Sequence, residues 1–392
     1  MDISPFFEPL DPGLLPLTGE THMQPRLGNL IAVHTEQGGL PDYSGAHIAL
    51  IGVTDDRRAI DNEGCGKAPD AVRKYLYGLS TGPHPLKMVD MGNIRTGFAV
   101  TDTYFALSSA VAELVENNVF PVIIGGSQDH TFANYQAYQS LGQIINIVAV
   151  DPLFDLGRSE EELNARSYLS SIILHQPNYL FNYANIGFQS HFVDQDALRL
   201  MKNLFFDTYR LGIVRESLEE VEPIVRNADV ISFDITAIRQ SDAPGNGNAT
   251  PNGFYGEEAC QIARYAGMSD KLTSMGIYEI NPDFDRNGQT AHLAAQMIWY
   301  FIDGFYSRAQ DFPFRNEEDY LKYRVSIRDH REEIVFYKSK RTDRWWLEIP
   351  LPAEQRVKYE RHYLVPCSYK DYQVACENDI PDRWWMVYQQ FM

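Results

Sequence analysis

The chain has 392 residues, 44% of them hydrophobic, enough for one large core or a core with an appended module. Its formal net charge of −19 repels phosphate backbones and anionic membrane surfaces, so neither nucleic acid nor such a surface is an expected partner. No apolar run reaches the roughly 18–20 residues of a membrane span, and the start Met1-Asp2-Ile3-Ser4-Pro5 lacks the character of a signal peptide, so a cytoplasmic location is expected.

Residues 1–44 are rich in Pro and Gly with little periodicity and are read as an irregular N-terminal arm. From residue 45 short apolar runs alternate with helical patterns. The runs cover 48–53, 86–91, 120–126, 144–151, 183–188, 209–214, 230–234 and 276–280. Helical patterns cover 69–79, 102–117, 194–204, 217–227, 255–266 and 292–305. Near-continuous apolar strands alternating with helices predict a three-layer α/β domain over 45–308, with a mostly parallel sheet of eight strands. The segment 309–392 differs: it holds four of the five tryptophans, and 333–350 has the pattern of a β-hairpin. Within it Asp343-Arg344-Trp345-Trp346 is echoed by Asp382-Arg383-Trp384-Trp385. Two readings of these aromatics stand side by side: anchors that hold the tail on the domain, or a docking surface for a protein partner. The four cysteines, Cys65, Cys260, Cys367 and Cys376, form no CxxC pair and are read as reduced thiols.

Ligands of an open parallel sheet bind beyond the carboxyl ends of its strands. Those ends carry Gly125-Gly126-Ser127-Gln128-Asp129-His130, Asp151-Pro152-Leu153-Phe154-Asp155, Asp234-Ile235-Thr236 and Glu279-Ile280-Asn281-Pro282. One histidine and several carboxylates on one sheet edge repel one another unless a cation or a proton intervenes, and mixed N and O donors suit Mn2+.

The order and spacing of these pieces resemble the arginase/ureohydrolase family, with the formimidoylglutamase branch nearest. The early stretch Gly64-Cys65-Gly66-Lys67-Ala68-Pro69-Asp70-Ala71-Val72-Arg73 is similar to the family's G-x-x-x-x-P-x-x-[IV]-R segment. The later pieces resemble its GGDHS, DAHxD and SxDxD motifs, the first read with extra residues before His130. The resemblance implies an αβα fold, a homo-oligomer, and hydrolysis of a C–N bond in a small formimino or guanidino substrate. It implies metal ligands at His130, Asp151, Asp155 and Asp234, with Asp151 and Glu279 catalytic and Glu279 gripping the substrate cation. Arg158 and Arg166 lie where a substrate-carboxylate loop would begin; they are clamps for that carboxylate or surface charges. The chain departs from the pattern at Leu153 and Thr236, where the second metal's own ligands would stand. The stretch 159–171 holds no histidine to shuttle protons, and His175 follows it. At most one Mn2+ is expected, or none. Two functions follow: a weak or altered amidine hydrolase, or a non-catalytic scaffold that uses Trp345, Trp346, Trp384 and Trp385 to bind a protein.

Overall fold

The computed structural model describes residues 1–14, 25–85, 87–157, 161–312, 317–328 and 333–392. Its central sheet contains β1 (Phe7–Glu8), β2 (Ala32–Val33), β3 (Ile48–Val53), β4 (Met88–Ile94), β5 (Phe120–Ile124), β6 (Ile145–Val150), β7 (Leu180–Phe188), β8 (Asp207–Arg210), β9 (Val230–Asp234) and β10 (Ser274–Tyr278). The spatial order is β1-β4-β3-β5-β10-β9-β6-β7-β8, with β2 also on β4. Only β1 runs antiparallel to its neighbour. Strands β3, β5, β6, β9 and β10 are buried at every position, because helices cover both faces.

On one face pack the helices Ala68–Leu76, Val221–Arg226, Gly256–Gly267 and Gln289–Tyr306. On the other lie Val100–Glu116, His130–Ser140, Tyr168–Leu174 and Gln195–Asn203. The last begins where the Asp194 carboxylate accepts the Ala197 N–H at 2.7 Å, a side-chain cap for a donor the helix leaves unpaired. The motif stretch 64–73 ends on a structural clamp: Arg73, fully buried, donates to both Asp90 oxygens at 2.8 and 2.9 Å. No described helix is long and apolar enough to cross a membrane.

Three expectations shift. The run 209–214 is not one strand: β8 ends at Arg210 and the helix Leu211–Glu216 follows. Polar Arg210 and Gly212 interrupt it, and Leu211 and Val214 sit at helical spacing. The described residues of the stretch 1–44 contribute β1 and β2 to the sheet edge. The helices His130–Ser140 and Tyr168–Leu174 were missing from the periodic patterns, the first because its Asn, Gln and Tyr residues blur any apolar stripe.

The extension forms a separate antiparallel sheet of β11 (Tyr320–Val325), β12 (Ile334–Ser339), β13 (Trp345–Glu348) and β14 (Leu364–Cys367), with helices Tyr369–Cys376 and Asp382–Gln390. The predicted hairpin is β12–β13. This unit seats on the amino ends of β6, β7 and β9. Arg361 donates to Asp229 at 2.6 Å, His362 meets the Ile144 carbonyl at 3.1 Å, and Gln390 donates to Asn182 at 2.8 Å. The docking-surface reading of the tryptophans is corrected here for three of the four. Trp345, Trp346 and Trp384 are 7%, 1% and 0% exposed, inside the extension or against the domain, and only Trp385 is open, at 46%. Trp346 carries the Arg226 guanidinium over its ring at 4.4 Å, and Trp384 donates its indole N–H to the Glu348 carbonyl. They are anchors.

Candidate functional site

Chain order jumps between β5, β10, β9 and β6, and in a doubly covered sheet that break leaves a crevice at the strands' carboxyl ends. The turn after β5 needs two left-handed residues, and Gly125 (φ 83°) and Gly126 (φ 71°) supply them. A Cβ on Gly125 would lie 2.7 Å from Pro69 Cδ, so the turn is pressed against the 64–73 stretch.

Asp151, Asp155, Asp234 and Glu279 converge here, 1%, 6%, 7% and 4% exposed. Asp151 Oδ1 accepts the Leu153 N–H at 2.7 Å, and Asp234 Oδ1 accepts the Thr236 N–H at 2.7 Å. Asp155 Oδ2 is buried with no hydrogen-bond partner. Both Asp155 (φ 49°) and Glu279 (φ 66°) hold left-handed backbone that carries strain for a non-glycine residue, a feature that clusters at ligand sites. Glu279 is tightly held. Its carboxylate accepts from the Gln128 backbone N–H at 2.8 Å and from Asn62 Nδ2 at 2.7 Å, and Asn246 Nδ2 donates to its carbonyl at 2.5 Å.

The four acids oppose one another. Burial, then the facing Asp155, drives Asp151 well above the usual carboxyl range. Burial first and the neighbouring acids second lift Asp155, Asp234 and Glu279 to about 8. Among the described residues none of the four makes an ion pair. Arg166 eases Asp155 and Asp234 from a distance, while its guanidinium donates to Asn248 Oδ1 at 2.6 Å and stands 4.0 Å from Asp61. Arg158 lies outside the described residues.

His130 does not join this group. Its Nδ1 meets the Ser127 carbonyl at 2.8 Å, its ring packs edge-on to Tyr104, and its Nε2 is buried without a partner. Gln128 stands where the histidine was expected: its Nε2 donates to Asp151 Oδ2 at 2.8 Å and also nears Ser232 Oγ and Tyr168 Oη. A gapless reading of the Gly-Gly motif puts Gln128, not His130, at the histidine position, and that was the available signal. Asn62, Asn246 and Asn248, which frame the pocket, sit in loops whose spacing carries no such signal. His175 hydrogen-bonds Gln139 Oε1 at 2.8 Å and packs edge-on against Phe132 and Tyr135.

A two-manganese centre does not fit these residues. Gln128 turns an amide N–H, a donor, toward Asp151 where a cation would have to sit; Leu153 offers no side-chain donor atom; Thr236 offers a neutral hydroxyl. Among the described residues no set of three or more His, Cys, Asp or Glu side chains is arranged to hold a metal ion.

Comparison with known proteins places these features. A family model described as the arginase family matches residues 46–303. The formimidoylglutamase of Staphylococcus aureus strain MSSA476 is 26% identical over 266 residues, covering 65% of this chain and 85% of that protein. The fold is shared with Trypanosoma cruzi formiminoglutamase, solved with Mn2+, at a TM-score of 0.64 and 21% identity over 73% of this chain and 99% of that one. It is shared as well with the Bacillus subtilis formimidoylglutamase, at a TM-score of 0.63 and 18% identity over 69% and 90% of the two chains.

Proposed function

The chain belongs to the arginase family, and from that premise we propose that it is a formimidoylglutamase-like member whose pocket binds a small organic cation of the amidine type without two-metal hydrolysis. One observation carries the reading: the Gln128 amide donates to Asp151 where a metal would bridge the carboxylates. Among the described residues, no group in the pocket takes the place of two cations about 3.5–4 Å apart in turning water into hydroxide near neutral pH. Burial lifts these carboxyls to about 8 or above, and a cation that enters favours their ionised forms. An amidinium presents flat, forked N–H donors that match carboxylates, and Asp155 Oδ2 is an acceptor waiting for one. Formimidoylglutamases are named for a substrate carrying such a group, which makes N-formimidoylglutamate the first ligand to try, with arginine and agmatine beside it.

Titration calorimetry with these three compounds, paired with chromatography of the unreacted ligand, tests the proposal. Saturable binding of at least one, no turnover with or without Mn2+, and about a tenfold or larger loss of affinity in Asp234→Asn are expected. Metal analysis after incubation with Mn2+ and desalting should find well under one ion per chain. Tightly retained Mn2+ together with turnover that Asp151→Ala abolishes would restore the hydrolase reading; absence of binding by all three compounds would end the amidine reading.

A further inference from the structure

A cleft of about 520 Å3 opens at the carboxyl ends of β7 and β8, beside the carboxylate pocket. Its wall includes Gln189, His191, Arg210, Arg215, Arg239 and Tyr255, with Glu216 the one acidic residue lining it among the described residues. Three guanidiniums stand around one cavity, and two of them are already paired with carboxylates, Arg215 with Glu258 and Arg239 with Asp242. Two of them are pre-set. Arg215 and Arg239 lie over the Tyr255 ring at 4.1 and 3.8 Å, and each is anchored through Nε, to Glu258 at 3.1 Å and to Asp242 at 2.9 Å. Stacking fixes the planar forks and lowers the entropy lost when they grip a ligand. Arg210 is exposed and makes no ion pair or hydrogen bond among the described residues.

A second, independent observation points the same way. Gln189 is 4% exposed, its Nε2 donates to the Asn252 carbonyl at 3.2 Å, and its Oε1 is buried with no partner. A buried acceptor in that state calls for a donor. We infer that this cleft is a second ligand site, for a small oxyanion that carries an N–H or O–H donor next to its anionic group. Carboxylates and phosphates share the geometry that guanidinium forks recognise. The site is wired to the carboxylate pocket. The Gln189 N–H donates to the Pro152 carbonyl at 3.0 Å, inside the Asp151–Asp155 turn, and Asn252 lies on the loop whose Asn246 and Asn248 hold Glu279 and Arg166.

Titration calorimetry on the full chain with O-phosphoserine, glutamate and sulfate tests this. O-phosphoserine and glutamate separate phosphate from carboxylate, and sulfate carries no donor at neutral pH. At least one donor-bearing probe should bind, more weakly at high ionic strength. Arg210→Ala should lower its affinity about tenfold or more. Gln189→Leu should weaken the donor-bearing probe and leave sulfate unchanged. Asp234→Asn should leave oxyanion binding intact, which separates this site from the amidine pocket whichever way that proposal falls. Failure of all three probes to bind would overturn the inference. So would an Arg210→Ala variant that changes the sedimentation coefficient without changing anion affinity, since the cleft would then be a contact between copies of the chain.

Discussion

The two ends of the central sheet treat buried charge in opposite ways. At the carboxyl ends four acids face one another, and the neutral Gln128 amide is the donor that reaches between them. At the amino end of β9 the fully buried Asp229 is met by Arg361 at 2.6 Å, by Lys271 at 3.5 Å and by the Asn146 N–H at 2.9 Å. Burial alone would raise Asp229, yet Lys271 and Arg361 outweigh it and hold the group below its ordinary value. Burial raises Asp155, Asp234 and Glu279 to about 8 because nothing comparable opposes it. A buried carboxylate that is neutralised and saturated with hydrogen bonds belongs to the architecture; a group of them left short of positive charge is arranged for something that arrives.

The sharpest way to break this contrast is at the neutralised end. Asp229→Ala leaves Lys271 and Arg361 without their counter-charge and should cost about 3–5 kcal/mol of stability in urea unfolding, the usual penalty for halving a buried pair. A loss under 1 kcal/mol, within the range of an exposed pair, would mean the two ends do not differ in kind. The opposite sign is expected in the pocket. Asp155→Asn keeps the shape and removes the cost of protonating a carboxyl that burial lifts to about 8, and at neutral pH it should raise stability by about 1–3 kcal/mol. A fall in unfolding midpoint would show that a positive charge already serves the acids.

A further effect is a pH slope. Burial, aided by Lys271, holds His362 down to about 3 in the folded chain, against an ordinary 6.5. Between these values the unfolded chain takes up a proton that the folded chain refuses. Stability from this group is therefore complete above about 6.5 and lost as pH falls toward about 3, at no more than about 1.4 kcal/mol per pH unit. His362→Phe keeps the stacking on Phe181 and should flatten that part of the curve. Parallel slopes for the two proteins between pH 6.5 and 4.5 would remove His362 from the anchor.

Much of this was legible from residues alone, for physical reasons. Fully buried parallel strands must be apolar on both faces, so β3, β5, β6 and β9 stood out as runs. Strand-end acids were legible because a carboxylate following such a run has to lie at the sheet edge. Leu153 and Thr236 were visible as departures by residue type. What failed was register within a turn. Gln128 and His130 differ by two positions, and which of them faces Asp151 is decided by the two left-handed glycines before them and by the helix that starts at His130. The tail's tryptophans were ambiguous because the same side chains make anchors and interfaces; burial separates Trp346 and Trp384 from Trp385, and burial is a tertiary property. The strands β11 and β14 lack clean alternation, since one is largely solvated and the other is buried along its whole length.

The seating of the extension also sets an order in time. Arg361, which completes the shell of Asp229, is 132 positions further along the chain. At about 5–20 residues per second a ribosome needs roughly 7–26 s to cover that distance. Lys271 is made part-way through that interval, and until Arg361 follows it Asp229 lacks one of its two cations. The segment that carries Arg361 is thus a late lock on the sheet it seats against.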